Sequence, residues 1–171
     1  KGGLLGRPVQ LVYYDDATSA ANVPAIYTKL LDVDKVDLVV SGYGTNLIAP
    51  AMPIVMRRKL VFPSLFGLAA NETFKYDRYF QIMPAGPEPL TDWSVGFFQL
   101  AAEQKLKTIA IVAADAEFAL NAAQGARANA KKFGLNVLYD KTYPPATTDF
   151  TPIVRAIGAT NPDVVYVASY P

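Results

Sequence analysis

The chain has 171 residues, with 16 Lys+Arg against 15 Asp+Glu, no His, no Cys and 51% hydrophobic residues. That length holds one domain or two small lobes and buries a real core, and a net charge of +1 creates no field that draws in nucleic acid or a membrane surface. Without His or Cys, zinc sites, thiol nucleophiles, disulfides, Ser-His-Asp triads and imidazole acid–base chemistry are excluded; any metal would need oxygen ligands, and no run of about 18 apolar residues is present to span a bilayer.

The opening Lys1-Gly2-Gly3 has no basic and apolar leader, so a signal peptide, if the protein has one, is expected outside this stretch. From there, short β-branched runs alternate with longer Ala-rich stretches, the βαβ pattern of a parallel sheet. Val9–Tyr14 reads as the first strand, followed by a helix over residues 20–33 and a strand at Val36–Val40. A helix over 46–58 is interrupted by Pro50 and Pro53. An interior proline costs about 3 kcal/mol, so the two argue for a late start or a kink.

Strands at Leu60–Phe62 and Tyr79–Met83 come next. The Pro84-Ala85-Gly86-Pro87-Glu88-Pro89 segment is a Pro/Gly-rich break between two similar halves, which places residues 1–84 in one lobe and 85–171 in another. A helix over 90–105 is expected, capped by Thr91 or Asp92, with Trp93, Phe97, Leu100 and Ala101 inward. Thr108–Ala113 is a strand. Residues 116–133 carry Phe118, Ala122, Ala126, Ala130 and Phe133 on one helical stripe, Lys131 and Lys132 in the last turn, and Gly134 as the stop. A strand at Leu135–Tyr139, a helix capped by Thr148 or Asp149 and ended by Asn161-Pro162, and a strand at Val164–Ala168 complete the pattern. Most of these strands are continuous apolar runs, as expected where helices cover both faces.

Open parallel sheets bind ligands beyond the carboxyl ends of their strands. Here those ends read Asp15-Asp16-Ala17-Thr18, Ser41-Gly42-Tyr43-Gly44-Thr45-Asn46, Ser64-Leu65-Phe66-Gly67, Asp115-Ala116-Glu117-Phe118 and Ser169-Tyr170. The Ser41–Asn46 turn, opening onto a helix, suits a carboxylate or phosphate; composition alone fits an unliganded turn equally well. Gly42-Tyr43-Gly44 lacks the third glycine of a dinucleotide fingerprint, and no P-loop lysine follows it. Asp15-Asp16 and the Asp115/Glu117 pair read as solvated caps or turn residues rather than catalytic acids. Tyr43, Phe66, Phe118 and Tyr170 are expected to line an aromatic cleft for a small ligand.

The chain resembles the periplasmic solute-binding proteins of ABC transporters, leucine/isoleucine/valine-binding type. Gly2-Gly3-Leu4-Leu5-Gly6-Arg7-Pro8 leading into Val9–Tyr14 and Asp15-Asp16 carries the likeness, with Lys35–Val40, Phe80-Gln81-Ile82 before Pro84, Tyr143–Phe150 and Asn161-Pro162-Asp163-Val164-Val165. The resemblance implies an α/β clamshell of two doubly wound parallel-sheet lobes, of the type I periplasmic-binding-protein kind, incomplete here at both ends. The family's first strand would precede Gly2-Gly3, and its chain would continue past Tyr170-Pro171.

It further implies a non-enzymatic, periplasmic receptor, without cofactor, that closes on a small carboxylate-bearing solute and hands it to a membrane permease. Nucleic acid and direct membrane insertion have no place in it. Matched onto this chain, Tyr43, Gly44, Thr45 and Asn46, then Ser64, Leu65, Phe66 and Gly67, would hold the carboxylate. Phe118-Ala119 stands where the family has a covering Tyr-Gly pair, and Tyr170 would join the site. Tyr43 and Asn46 around a single Thr, and Leu65-Phe66 in place of small residues, favour a bulkier, flatter or less polar acid than a plain aliphatic amino acid. A ligand-sensing domain of a transcription regulator or signalling receptor would share the same two-lobed fold.

Overall fold

The computed structural model describes residues 3–170, so Lys1, Gly2 and Pro171 lie outside the description. Two parallel sheets carry the architecture. The first half begins with α1 (Val23–Asp32), whose Val23, Tyr27 and Leu31 are buried along one stripe. Next comes a single helical run in three pieces, α2 (Thr45–Ile48), a 3₁₀ turn (Ala49–Ala51) and α3 (Met52–Arg57). Pro50 and Pro53 each fall in the first two positions of a new piece, where a missing N–H is harmless. The run therefore starts at Thr45 and changes pitch instead of starting late.

β1 (Phe62–Ser64) pairs in parallel with β2 (Tyr79–Gln81), and a short α4 (Ala70–Phe74) lies between them. The sequence reading missed α4. Tyr27 meets the buried Phe62 edge to face at 5.7 Å, and Ile48, Met52 and Val55 complete this core.

In the second half, α5 (Pro89–Glu103) is followed by β3 (Thr108–Ala114), α6 (Glu117–Phe133), β4 (Asn136–Tyr143), α7 (Thr151–Thr160) and β5 (Val164–Ala168). The sheet order is β4-β3-β5, all parallel. β3 is central and buried from Ile109 to Ala114, which is why it reads as an unbroken apolar run. The alanine stripe of α6 lets α5 approach closely. A Cβ at Gly125 would sit 1.6 Å from the Leu90 carbonyl oxygen, so only glycine fits there. The buried Asn129 amide donates to Thr91 O at 2.8 Å and Ser94 Oγ at 3.0 Å across the same contact. Gly134, at φ 74°, ends α6 as expected.

Several boundaries differ from the sequence reading. α5 starts at Pro89, so neither Thr91 nor Asp92 is its cap residue; Asp92 instead reaches back to accept the Glu88 N–H at 3.0 Å. Asp149 accepts the Thr151 N–H at 2.9 Å at the start of α7, and hydrogen bonding from the Thr151 side chain, then from this N–H, holds its carboxyl below the usual range. Val9–Tyr14 and Val36–Val40 are not strands here. Strand geometry needs a neighbour to accept its ladder, and among the described residues neither segment pairs with one, although the following Ser41 N–H reaches Pro63 O at 3.0 Å. Leu11, Tyr13, Leu38 and Val40 are accordingly exposed. Phe66 and Leu68, although they follow β1, pack into the core of the second sheet.

Candidate functional site

The turn after residue 40 is built around Gly44, whose φ of 95° suits only glycine. Its N–H donates to Phe66 O at 3.1 Å, and its carbonyl accepts from Leu47 and Ile48. The Gly44 amide is thus engaged within the fold. Thr45 is fully buried, and its hydroxyl, like that of Ser41, has no hydrogen-bond partner among the described residues. An unsatisfied buried hydroxyl costs about 1–3 kcal/mol, so the turn carries unused donor capacity.

Asn46 faces the other way. Its Oδ1 accepts the Tyr170 hydroxyl at 2.8 Å, a bond that ties the end of β5 to α2 across 124 residues, while its Nδ2 is left without a partner among the described residues. Burial pushes the Tyr170 phenol up to about 12, a backbone bond at Phe118 opposes the shift, and the charges of Glu117 and Tyr43 add to it. Tyr170 is therefore a neutral hydrogen-bond donor across the physiological range.

Beside this bond lies a cavity of about 300 Å³ lined by Asp16, Thr18, Tyr43, Asn46, Leu47 and Tyr170. Its size suits a small molecule, at the low end of ligand sites. Asp16 enters on a loop in which Asp15 and Asp16 accept the amides of Ala17 and Thr18, both at 2.8 Å. Ala17 and Thr18 sit at φ 53° and 56°, left-handed conformations that side chains resist. Gly42 gives the carboxylate room: a Cβ there would lie 3.3 Å from Asp16 Oδ2.

The expected site residues do not gather at one place. Tyr43, Asn46 and Tyr170 line the cavity. Ser64 and Gly67 belong to a separate polar network, where Ser64 Oγ lies 2.6 Å from Tyr79 Oη, and Gly67 N–H donates to Gln81 Oε1 at 2.9 Å. Gly67 borders a second cavity of about 270 Å³ that reaches Met83 and Pro89. Phe66 and Phe118 lie edge to face at 5.7 Å and cluster with Trp93, which is 5.0 Å from Phe66. Phe66 is buried core, and Phe118 reaches the cavity wall through its 5.5 Å contact with Tyr170. Leu65 is half exposed and borders neither cavity.

Asp16, Thr18, Leu47 and Trp93 are additions to the expected set. The Asp-Asp pair after an apolar run was the available signal for Asp16, but its reading as a solvated turn hid the cavity. Among the described residues no three Asp or Glu side chains gather as a metal site, and no helix is long and apolar enough to cross a membrane.

Two parallel sheets with helices packed against them, and a small cavity beside the end of β5, define a mixed α/β fold of parallel sheets. Solved structures share it. A solute-binding protein of an ABC transporter from Rhodopseudomonas palustris BisB5, crystallised with 3,4-dihydroxybenzoic acid, is 19% identical with a TM-score of 0.84 over 96% of this chain. A second R. palustris solute-binding protein, in complex with 4-hydroxybenzoate, is 21% identical with a TM-score of 0.80 over 91%. A Burkholderia mallei periplasmic binding protein is 18% identical with a TM-score of 0.78 over 96%. The chain spans only 42–44% of these proteins' own lengths. A family model described as periplasmic binding protein matches residues 1–171, and the chain belongs to that family.

Proposed function

We propose that the protein is a periplasmic receptor that clamps a small carboxylate-bearing solute, without transforming it, for delivery to the permease of an ABC transporter. The observation that carries this reading is the 300 Å³ cavity where the two halves meet, roofed by Tyr170 and Tyr43 and supplied with the unpaired Asn46 Nδ2 donor. In this reading residues 1–84 belong to one lobe and 85–171 to the other, and Tyr43, Asn46 and Tyr170 hold the solute. The adjacent Thr45 is buried with an unpartnered hydroxyl. Phe118 backs Tyr170 through their 5.5 Å ring contact.

The aromatic lining supports a flat acid over an aliphatic one. The hydroxylated benzoates bound by the two R. palustris proteins are of that class. A thermal-shift screen of the full-length protein against small carboxylates, nucleotides and sugars tests the proposal. Stabilisation by small carboxylates, with the ligand recovered unchanged, supports it; stabilisation by nucleotides or sugars alone overturns it.

A further inference from the structure

Resting on that reading, we infer that Asp16 is a specificity-determining residue, accepting a hydroxyl or ammonium donor at the end of the solute opposite its carboxylate. The cavity has an uneven charge. Among its lining residues Asp16 is the one ionisable carboxylate, and there is no Lys or Arg. Asp16 makes no ion pair among the described residues; the pairs recorded there are Arg58–Asp32, Lys75–Glu72 and Arg127–Asp140. Its Oδ1 takes the Thr18 amide, but Oδ2 accepts no hydrogen bond.

A bare carboxylate solute would share this small space with an uncompensated like charge. A solute with a proton donor opposite its carboxylate converts that repulsion into a charge-assisted hydrogen bond, a strong contact of its kind. Asn46, in the same lining, supplies the complement, since its Oδ1 is fixed by Tyr170 and its Nδ2 is left to meet the solute's own carboxylate. The loop that holds Asp16 is tied down independently of any solute, because the Asp16 carbonyl accepts Ser19 N–H at 3.0 Å and Asn22 Nδ2 at 3.1 Å. The lining thus offers one free acceptor, Asp16 Oδ2, and one free donor, Asn46 Nδ2.

Calorimetric titration of the full-length protein with benzoate, 4-hydroxybenzoate, 4-(aminomethyl)benzoate and leucine, in wild type and Asp16→Asn, tests the inference. Asn can still accept the Thr18 amide, and the melting temperature of the ligand-free variant checks that the loop is intact. Wild type should prefer the solutes with a para donor to benzoate by about tenfold or more. Asp16→Asn should erase that preference while leaving benzoate as tight or tighter. A larger loss for the aminomethyl compound identifies the natural donor as an ammonium, and a larger loss for the phenol identifies a hydroxyl. If the carboxylates bind but Asp16→Asn shifts all of them equally or none of them, the inference is wrong and the solute-binding reading stands. If none of the four binds, both fall.

Discussion

Removing a single oxygen from Tyr170 separates the role of its hydroxyl from that of its ring. Tyr170→Phe deletes the 2.8 Å bond to Asn46 Oδ1 but keeps the 5.5 Å ring contact with Phe118. A hydrogen bond of this kind contributes about 1 kcal/mol net. Because the bond joins the two halves and exists only when they meet, its loss should appear in closure and therefore in affinity, at about fivefold for every solute alike. Tyr170→Ala also removes the ring pair, worth roughly another 1 kcal/mol before the lost burial is counted, so it should weaken binding by about thirtyfold or more.

The phenol's pKa of about 12 makes the contribution independent of pH across the ordinary range. Its assembled-state pKa lies above the free value of about 10, so the bond is fully present below that pH and is lost as the pH rises towards 12. Calorimetry at pH 6, 7.5 and 9 is the assay. Unchanged affinity in Tyr170→Phe, or a loss that varies between pH 6 and 9, would refute the reasoning.

Thr45→Val removes the unpaired hydroxyl at nearly constant shape, so the ligand-free protein should melt no lower than wild type, while affinity for carboxylates falls about tenfold; a lower melting temperature, or unchanged affinity, contradicts this. In hydrogen exchange on the isolated 171-residue chain, amides of Val9–Tyr14 and Val36–Val40 should exchange far faster than those of β3, and equal protection would mean these segments are paired. Asp163 accepts the Lys107 and Thr108 amides at 2.8 and 2.9 Å, and these bonds hold its carboxyl below the usual range. Its contribution is therefore present above about pH 4 and lost as the pH falls through the lowered value. Asp163→Asn should reduce the melting temperature at pH 7, with the gap closing in acid; a gap that stays constant to low pH contradicts this.

The second half of the fold was legible because its determinants are local. The alanine stripe of α6, the left-handed stop at Gly134 and the unbroken apolar run of β3 each specify their element within a few residues. Val9–Tyr14 and Val36–Val40 have the same β-branched composition, but a strand is a pairing, and pairing depends on a neighbour that composition cannot supply. α4 is five residues long, too short to show helical periodicity.

At the site, Gly44 and the turn it makes were readable from spacing. The Phe66–Trp93–Phe118 cluster was not, because contact between residues far apart in the chain is decided by how the two sheets meet. The same holds for Asp16, whose place beside Tyr43 and Tyr170 is a property of the assembled cavity and not of the Asp-Asp pair.

The most direct measurement is a crystal structure of the full-length protein grown with the best small carboxylate from the thermal-shift screen. The account predicts solute density in the cavity between Asp16 and Tyr170, with the carboxylate within hydrogen-bond distance of Asn46 Nδ2 and the remainder of the molecule against Tyr43 and Tyr170. Solute bound instead in the cavity beside Gly67, Gln81 and Met83, or with Asn46 Nδ2 still unpartnered, would contradict it.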